Sequence, residues 1–153
     1  MRRIAATLAV VVALLFSAGS AWATSRDAAD EAIRFEKYVS KAENGDVDAQ
    51  VTLGMMYDNG WYVAENKAEA FKWFLRAAER HDAMSQMHVG WAHVTGELVP
   101  KDLVKAYMWW ALAKAQGDEG AAESLDIIKD DMTAADISEA QALAAEMWEK
   151  INN

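Results

Sequence analysis

No cysteine occurs anywhere in the 153 residues of this chain. The absence excludes disulfide bonds and thiolate metal sites, and it removes the thiol as a catalytic nucleophile. It also excludes a lipid-anchored lipoprotein, which needs a cysteine at its cleavage site. The fold must therefore be held by its core, and a chain of this length can bury about two-thirds of its unfolded surface.

Positive charge is also scarce. The chain has 15 Lys and Arg residues against 24 Asp and Glu residues, a formal net charge of −9. Nucleic acids and anionic lipids bind to clustered cations, so the composition argues against either as a partner. From residue 115 onward the only basic residues are Lys129 and Lys150. This acidic end is interpreted as a solvated helical face, with a docking surface for a basic partner as the alternative.

Recognisable catalytic motifs are missing as well. There is no Gly-x-Ser-x-Gly elbow and no glycine-rich loop that would cradle a phosphate. His81, His88 and His93 lie close together in the sequence, but His88 and His93 are five positions apart. On a helix that spacing separates them by about 140°, which argues against a shared metal site. We therefore predict no catalytic residue, no metal site and no cofactor.

Residues 1–23 have the pattern of a cleavable secretory signal. Arg2 and Arg3 precede an apolar run over residues 4–16, and small residues follow as far as Ala23. The run is shorter than the roughly 18 to 20 apolar residues that span a bilayer. We predict cleavage after Ala23, with no membrane insertion of the mature chain; a retained membrane anchor is the alternative.

The rest of the sequence repeats itself with a period of 36 residues, and this period governs the architecture. Shifting the chain by 36 positions superposes eight pairs of identical residues: Gln50 with Gln86, Gly54 with Gly90, Gly60 with Gly96, Val63 with Val99, Ala70 with Ala106, Trp73 with Trp109, Ala77 with Ala113 and Asp82 with Asp118.

Each unit has the pattern of two helices. Apolar residues recur at three- and four-residue spacing in both, Gly60 ends the first helix, and Asn66 is suited to cap the second. Gly54 and Gly90 lie inside helices, where glycine costs roughly 1 kcal/mol, which indicates close approach of the partner helix. Trp73 and its equivalent, Trp109, are predicted to lie in the core.

The first unit resembles the Sel1-like repeat. The residues that carry the resemblance are Ala49-Gln50, Leu53-Gly54, Tyr57, Gly60, Val63, Ala70, Trp73 and Ala77-Ala78. The second unit, residues 85–117, keeps the glycines but has His93 where the family usually has an aromatic residue. A third unit begins at residues 121–125 and breaks off. The resemblance implies an α-solenoid related to tetratricopeptide repeats, of an exported bacterial type, in a family that mostly serves as adaptor or regulatory scaffold.

The predicted fold is all-α: a short α/α solenoid of two 36-residue helix pairs and a partial third, spanning residues 46–132. Capping helices are expected over residues 24–45 and 133–153, because a short solenoid would otherwise expose its core. Thr133 and Asp136 are placed to form a capping box. The N-terminal helix is expected to make apolar contacts through Ile33, Phe35, Tyr38, Val39 and Ala42.

A row of residues on the first helix of each unit is the candidate binding surface. The resemblance implies that these helices line the concave side of the solenoid. Helical spacing places seven residues on one row: Thr52, Met55, Asn59, Met84, His88, Trp91 and Thr95. Trp91 would anchor a bound protein there. The alternative is that Met55 and Trp91 pack one repeat against the next.

The function predicted from these features is a non-enzymatic, protein-binding scaffold. We expect a monomer, periplasmic or secreted, that serves as adaptor or regulator of an envelope protein such as a sensor or an assembly factor. One alternative is a cell-wall or small-molecule hydrolase of the envelope, for which two repeats offer little pocket depth. The other is a structural subunit of a surface assembly.

Overall fold

The computed structural model describes residues 25–152. The predicted signal, residues 1–23, lies outside the described residues. The described part contains seven helices and no strand, as the all-α prediction requires. The helices are α1 Ser25–Glu43, α2 Val47–Asn59, α3 Lys67–Ala78, α4 Ala83–Thr95, α5 Leu103–Ala115, α6 Glu119–Lys129 and α7 Ala134–Asn152.

Helix caps recur with the same 36-residue period. Asp46, Asp82 and Asp118 precede α2, α4 and α6, and each carboxylate accepts a hydrogen bond from the backbone N–H three residues later, at 2.7–2.9 Å. Asn66 and Asp102 do the same for α3 and α5, at 3.1 and 2.9 Å. These side chains satisfy backbone donors that a helix start leaves unpaired. The predicted Asn66 cap is confirmed.

The turn that leads from one unit to the next needs a left-handed backbone. Gly45, His81 and Gly117 occupy it, again 36 residues apart, with φ of 87°, 75° and 93°. Glycine adopts this conformation freely, whereas a residue with a Cβ is strained in it. His81 is held there in contact with the last helix, because its ring meets Trp148 edge-on at 4.6 Å between centroids.

Large aromatic rings lie against Gly54 of α2 and Gly90 of α4. A Cβ on Gly54 would come within 2.7 Å of the Phe74 ring, and one on Gly90 would overlap the ring of Trp110. Each pair joins the first helix of a unit to the second. The predicted close approach is confirmed, and the absent Cβ is what allows it.

The core continues along the repeats, and α7 covers its far end. Trp73 and Trp109 are both buried, as predicted. The side chains of α7 that pack on the Trp109 cluster are Leu143, Ala144, Met147 and Ile151. At the start of α7, Thr133 and Asp136 exchange hydrogen bonds at 2.9 and 3.1 Å, so the predicted capping box is confirmed.

Two details differ from the sequence-based expectation. Ile33 is 63% exposed, so the prediction that it makes apolar contacts is wrong, although Phe35 and Ala42 of the same helix are buried. On α1 the stripe that faces α2 does not include Ile33. The third unit also extends beyond residues 121–125: α6 is a complete helix from Glu119 to Lys129.

Candidate protein-binding face

The predicted row lies on α2 and α4, on a surface that we call the first-helix face: the seven residues of the row together with Ile127 of α6. Trp91 is 60% exposed. Met84, Asn59, His88 and Thr95 are exposed as well, while Thr52 and Met55 are half-buried. The structure therefore leaves five of the seven predicted side chains accessible to a partner.

Ile127 is a member of this face that the sequence reasoning missed. It follows Trp91 by 36 residues, just as Trp91 follows Met55, and it is 72% exposed. The 36-residue period places Ile127 at this position once the third unit is continued beyond residue 125. Met55, Trp91 and Ile127 thus occupy equivalent positions in three successive helices, and we call them the apolar column.

Trp91 rests on the core with one side and faces solvent with the other. Its ring stacks on buried Trp110, with 6.3 Å between centroids and 30° between the ring planes. Met55 instead packs against the core cluster that contains Phe74. Met55 therefore packs between helices, as the alternative interpretation expects. Trp91 packs only through the side of its ring that lies on Trp110. An exposed ring on a fixed base is suited to anchoring a partner, because little side-chain entropy is lost on binding.

His88 lies flat on Phe74. The ring centroids are 4.3 Å apart and the planes differ by 5°. Burial against this ring lowers the pKa of His88 below its ordinary value, although Asp58 and Asp82 oppose the shift. His88 is nevertheless an exposed residue of the row. Protonation of His88 in the folded protein therefore requires a pH below the ordinary histidine range.

Polar residues of the row satisfy their hydrogen-bond donors within their own helices. Thr52 Oγ1 donates to the Asp48 carbonyl at 2.7 Å, and Asn59 Nδ2 donates to the Met55 carbonyl at 2.9 Å. These donors need no partner protein. The binding free energy available on the face therefore resides mainly in its apolar side chains.

The other histidines take separate positions. His81 lies in the turn before α4, and His93 is half-buried with its Nδ1 unpartnered. Burial lowers the pKa of His93, against the effect of a hydrogen bond to the Pro100 backbone. Residues 25–152 contain no group of three or more His, Cys, Asp or Glu side chains placed to hold a metal ion. Among the helices of this segment, none has the length and apolar character to cross a bilayer.

A family comparison matches the units that the geometry defines. The Sel1 repeat model matches residues 47–82 and 83–118, each running from the start of a first helix to the cap of the next unit. The chain is a Sel1 repeat protein. Sel1 repeats mediate protein–protein interaction, and proteins built from them are generally interaction scaffolds. Among curated protein sequences none matches this Sel1 repeat protein significantly.

Two solved structures share the fold. A protective antigen of uropathogenic Escherichia coli strains with an SLR fold superposes at a TM-score of 0.73 and 24% identity, over 98% of this chain and 31% of that one. A Sel1 repeat protein from Oxalobacter formigenes gives a TM-score of 0.62 and 28% identity, over 77% of this chain and 49% of that one. The chain described here thus spans less than half the length of either of these two proteins.

Proposed function

We propose that this Sel1 repeat protein is a non-enzymatic scaffold of the bacterial envelope, periplasmic or secreted, that holds a segment of another envelope protein on its first-helix face. The observation that carries the proposal is Trp91, a 60% exposed ring on a fixed base. Exposed apolar residues that recur at equivalent repeat positions are typical of interaction surfaces.

The chemistry of the face also describes its partner. A partner segment that fits the apolar column must present apolar side chains that contact Trp91 and then Ile127. The chain is acidic overall, with a net charge of −9. Asp126 beside Ile127 is largely exposed, and its Oδ1 pairs with Lys129 at 2.8 Å. A segment with apolar anchors and flanking Lys or Arg residues complements this surface, and its basic flanks would speed association at low salt.

The envelope location rests on the signal pattern of residues 1–23. Expression with the native N-terminus in a Gram-negative bacterium should place the protein in the periplasmic fraction or the medium. Its intact mass should correspond to a chain that begins at Thr24. Recovery of the uncleaved chain from the cytoplasm or the membrane fraction would contradict the location.

The binding test is a pull-down from envelope extract with the purified protein. We expect one abundant partner, and at least tenfold less of it with Trp91→Ser or Ile127→Ser, since loss of an anchor typically costs over 1 kcal/mol. Ile33→Ser is the matched control, because Ile33 is equally exposed but lies on α1, outside the face. Equal capture by parent and folded Trp91→Ser would reject the first-helix face.

A further inference from the structure

A cavity of about 400 Å³ lies between α3 and α7, formed by residues outside the first-helix face. Its charged wall contains Arg76, Arg80 and Lys150, with Glu79 as the single acidic group, and Met147 and Ile151 form an apolar wall. This excess of positive charge is unusual in a chain whose net charge is −9. The cavity therefore favours an anionic ligand with an apolar part.

Gln50 also lines the cavity, and its side-chain amide is only half satisfied. The residue is 4% exposed. Its Nε2 donates to the Ala42 carbonyl at 3.1 Å, whereas its Oε1 is buried without a hydrogen-bond partner. A buried acceptor without a donor is energetically costly, so Gln50 Oε1 calls for an N–H group.

The second repeat shows how the oxygen of the equivalent glutamine is satisfied. Gln86, the equivalent of Gln50, makes the same bond from Nε2, to Ala78 at 3.1 Å. Its Oε1 also accepts a hydrogen bond from Gln116 at 2.8 Å. The residue 36 positions before Gln116 is Arg80. Arg80 makes no such bond to Gln50, because its guanidinium lies instead beside Gly45. The first repeat thus replaces a closing hydrogen bond with a cation at the edge of an open cavity.

We propose that this cavity binds a carboxylate with a neighbouring N–H donor, the group found at the C-terminus of a peptide and in N-acylated amino acids. The carboxylate pairs with Arg76 and Arg80, since guanidinium groups match carboxylate geometry. The adjacent N–H donates to Gln50 Oε1. The site is independent of the first-helix face, so either proposal stands if the other fails.

Two further features support this ligand. The Arg76 guanidinium is held over the Trp73 ring, 4.5 Å from its centroid, which reduces the entropy lost when it binds. The apolar side chains of Met147 and Ile151 lie across the cavity, where the side chain of an apolar terminal residue fits. An acetylated Ala-Leu dipeptide with a free carboxyl group therefore suits the site.

The test is an NMR titration of the purified protein that follows the side-chain amide signals of Gln50. The probes are acetyl-Ala-Leu with a free carboxyl group, its C-terminal amide and N-acetylleucine. We expect saturable shifts with the free acid, and affinity at least tenfold lower for the amide. Binding of both acids assigns the site to N-acylated amino acids in general, and binding of the dipeptide alone assigns it to peptide C-termini.

The decisive variant is Arg80→Gln, which should create the closing bond that Gln116 makes to Gln86. We expect it to stay folded and to lose at least tenfold in affinity. Lys101→Gln removes one exposed charge from a loop that does not line the cavity, and we expect affinity within twofold of the parent. Arg76→Gln, which changes the other proposed carboxylate partner at an exposed position of α3, gives a second test if Arg80→Gln fails to fold.

Three results would overturn the proposal. One is the absence of saturable shifts with any free acid at millimolar concentration. Another is equal binding of the dipeptide acid and its amide, which would show that the carboxylate is not recognised. The third is unchanged affinity in folded Arg80→Gln, or in Arg76→Gln where the first variant does not fold.

Discussion

The indole ring of Trp110 lies directly on the backbone of Gly90, and its Nε1 donates a hydrogen bond to the carbonyl of Met87 at 3.1 Å. Phe74 lies on Gly54 in the same way. In both repeats the two helices of a unit approach closely because a Cβ is absent. The second repeat has an additional hydrogen bond, from Trp110, which Phe74 cannot make because its ring has no N–H donor.

Gly90→Ala should destabilise the protein by about 2 kcal/mol. Displacing the Trp110 ring costs about 3 kcal/mol with its hydrogen bond, while the better helix propensity of alanine returns about 1 kcal/mol. Chemical denaturation measures the change. Gly120→Ala, whose added Cβ meets the Asp118 carboxylate at 3.3 Å, is the control and should stay within about 1 kcal/mol of the parent. Equal stabilities for both variants would contradict the contact.

Trp73→Ala and Trp109→Ala should each cost on the order of 3 to 5 kcal/mol, because each ring fills a buried position between helices. In a domain of marginal stability either change is severe. Trp61→Ala is the control, since Trp61 is exposed in the turn after α2, and its cost should be below about 1 kcal/mol. If Trp73→Ala melted within a degree or two of the parent, the repeat alignment would be wrong.

Deleting residues 133–153 should produce an aggregating protein. The truncation uncovers Met108, Trp109 and Leu112, on which α7 packs, and an exposed patch of that kind promotes association. Size-exclusion chromatography gives the result. A milder version replaces Leu143 and Met147 with serine, and the control replaces exposed Ala142 and Ala145 with serine. A monomeric, cooperatively unfolding truncation would contradict the role of α7 as a cap.

Trp91→Ser should keep the free energy of unfolding within about 0.5 kcal/mol of the parent, because most of its ring is already in solvent. Trp110→Ala, which removes the ring beneath it, should cost several times more. Comparing the stabilities of the two variants distinguishes an exposed anchor from a packing residue. A large loss of stability in Trp91→Ser would assign Trp91 to the core.

Stability should fall as the pH drops below about 6.5. Burial lowers the pKa of both His88 and His93 in the folded protein, so the unfolded chain binds more protons between the folded and ordinary values. Folding is therefore most favoured above the ordinary pKa and is weakened on acidification. Denaturation curves at pH 7.5, 6 and 5 measure this.

Variants assign the pH effect to individual histidines. His88→Gln should reduce the loss of stability at acid pH, and so should His93→Tyr, which installs the residue found at the equivalent position, Tyr57. A reduced loss in both variants would assign the pH dependence to these two rings. A pH profile unchanged in both variants would show that other groups titrate in this range.

Much of the fold was predictable because its determinants are local or periodic. The glycines at 54 and 90, the tryptophans at 73 and 109 and the Asn66 cap all follow from spacing along one or two helices. The aspartate caps have the same period, with Asp82 superposed on Asp118, but the superposition alone does not show that they cap helices. Ile127 lies outside the predicted part of the third unit, residues 121–125, because α6 continues to Lys129.

Other features depend on helices that are distant in the sequence. Ile33 and Phe35 are two positions apart and therefore lie on opposite sides of α1, and the way α1 lies on α2 decides that Phe35 is the buried one. His81 keeps a left-handed backbone in contact with Trp148, 67 positions later. Local propensity carries no information on such contacts, because it describes neighbours along the chain.

The helical period, the glycine positions that admit an aromatic ring and the row of residues on the first helices all follow from the order of amino acids along the chain. Tertiary structure alone decided that Trp91 stays exposed on a buried Trp110, and that Gln50 faces a cavity where Gln86 is closed by Gln116. The physical reason is that periodicity assigns a residue to a face, whereas burial depends on which side chains the neighbouring helices bring against that face.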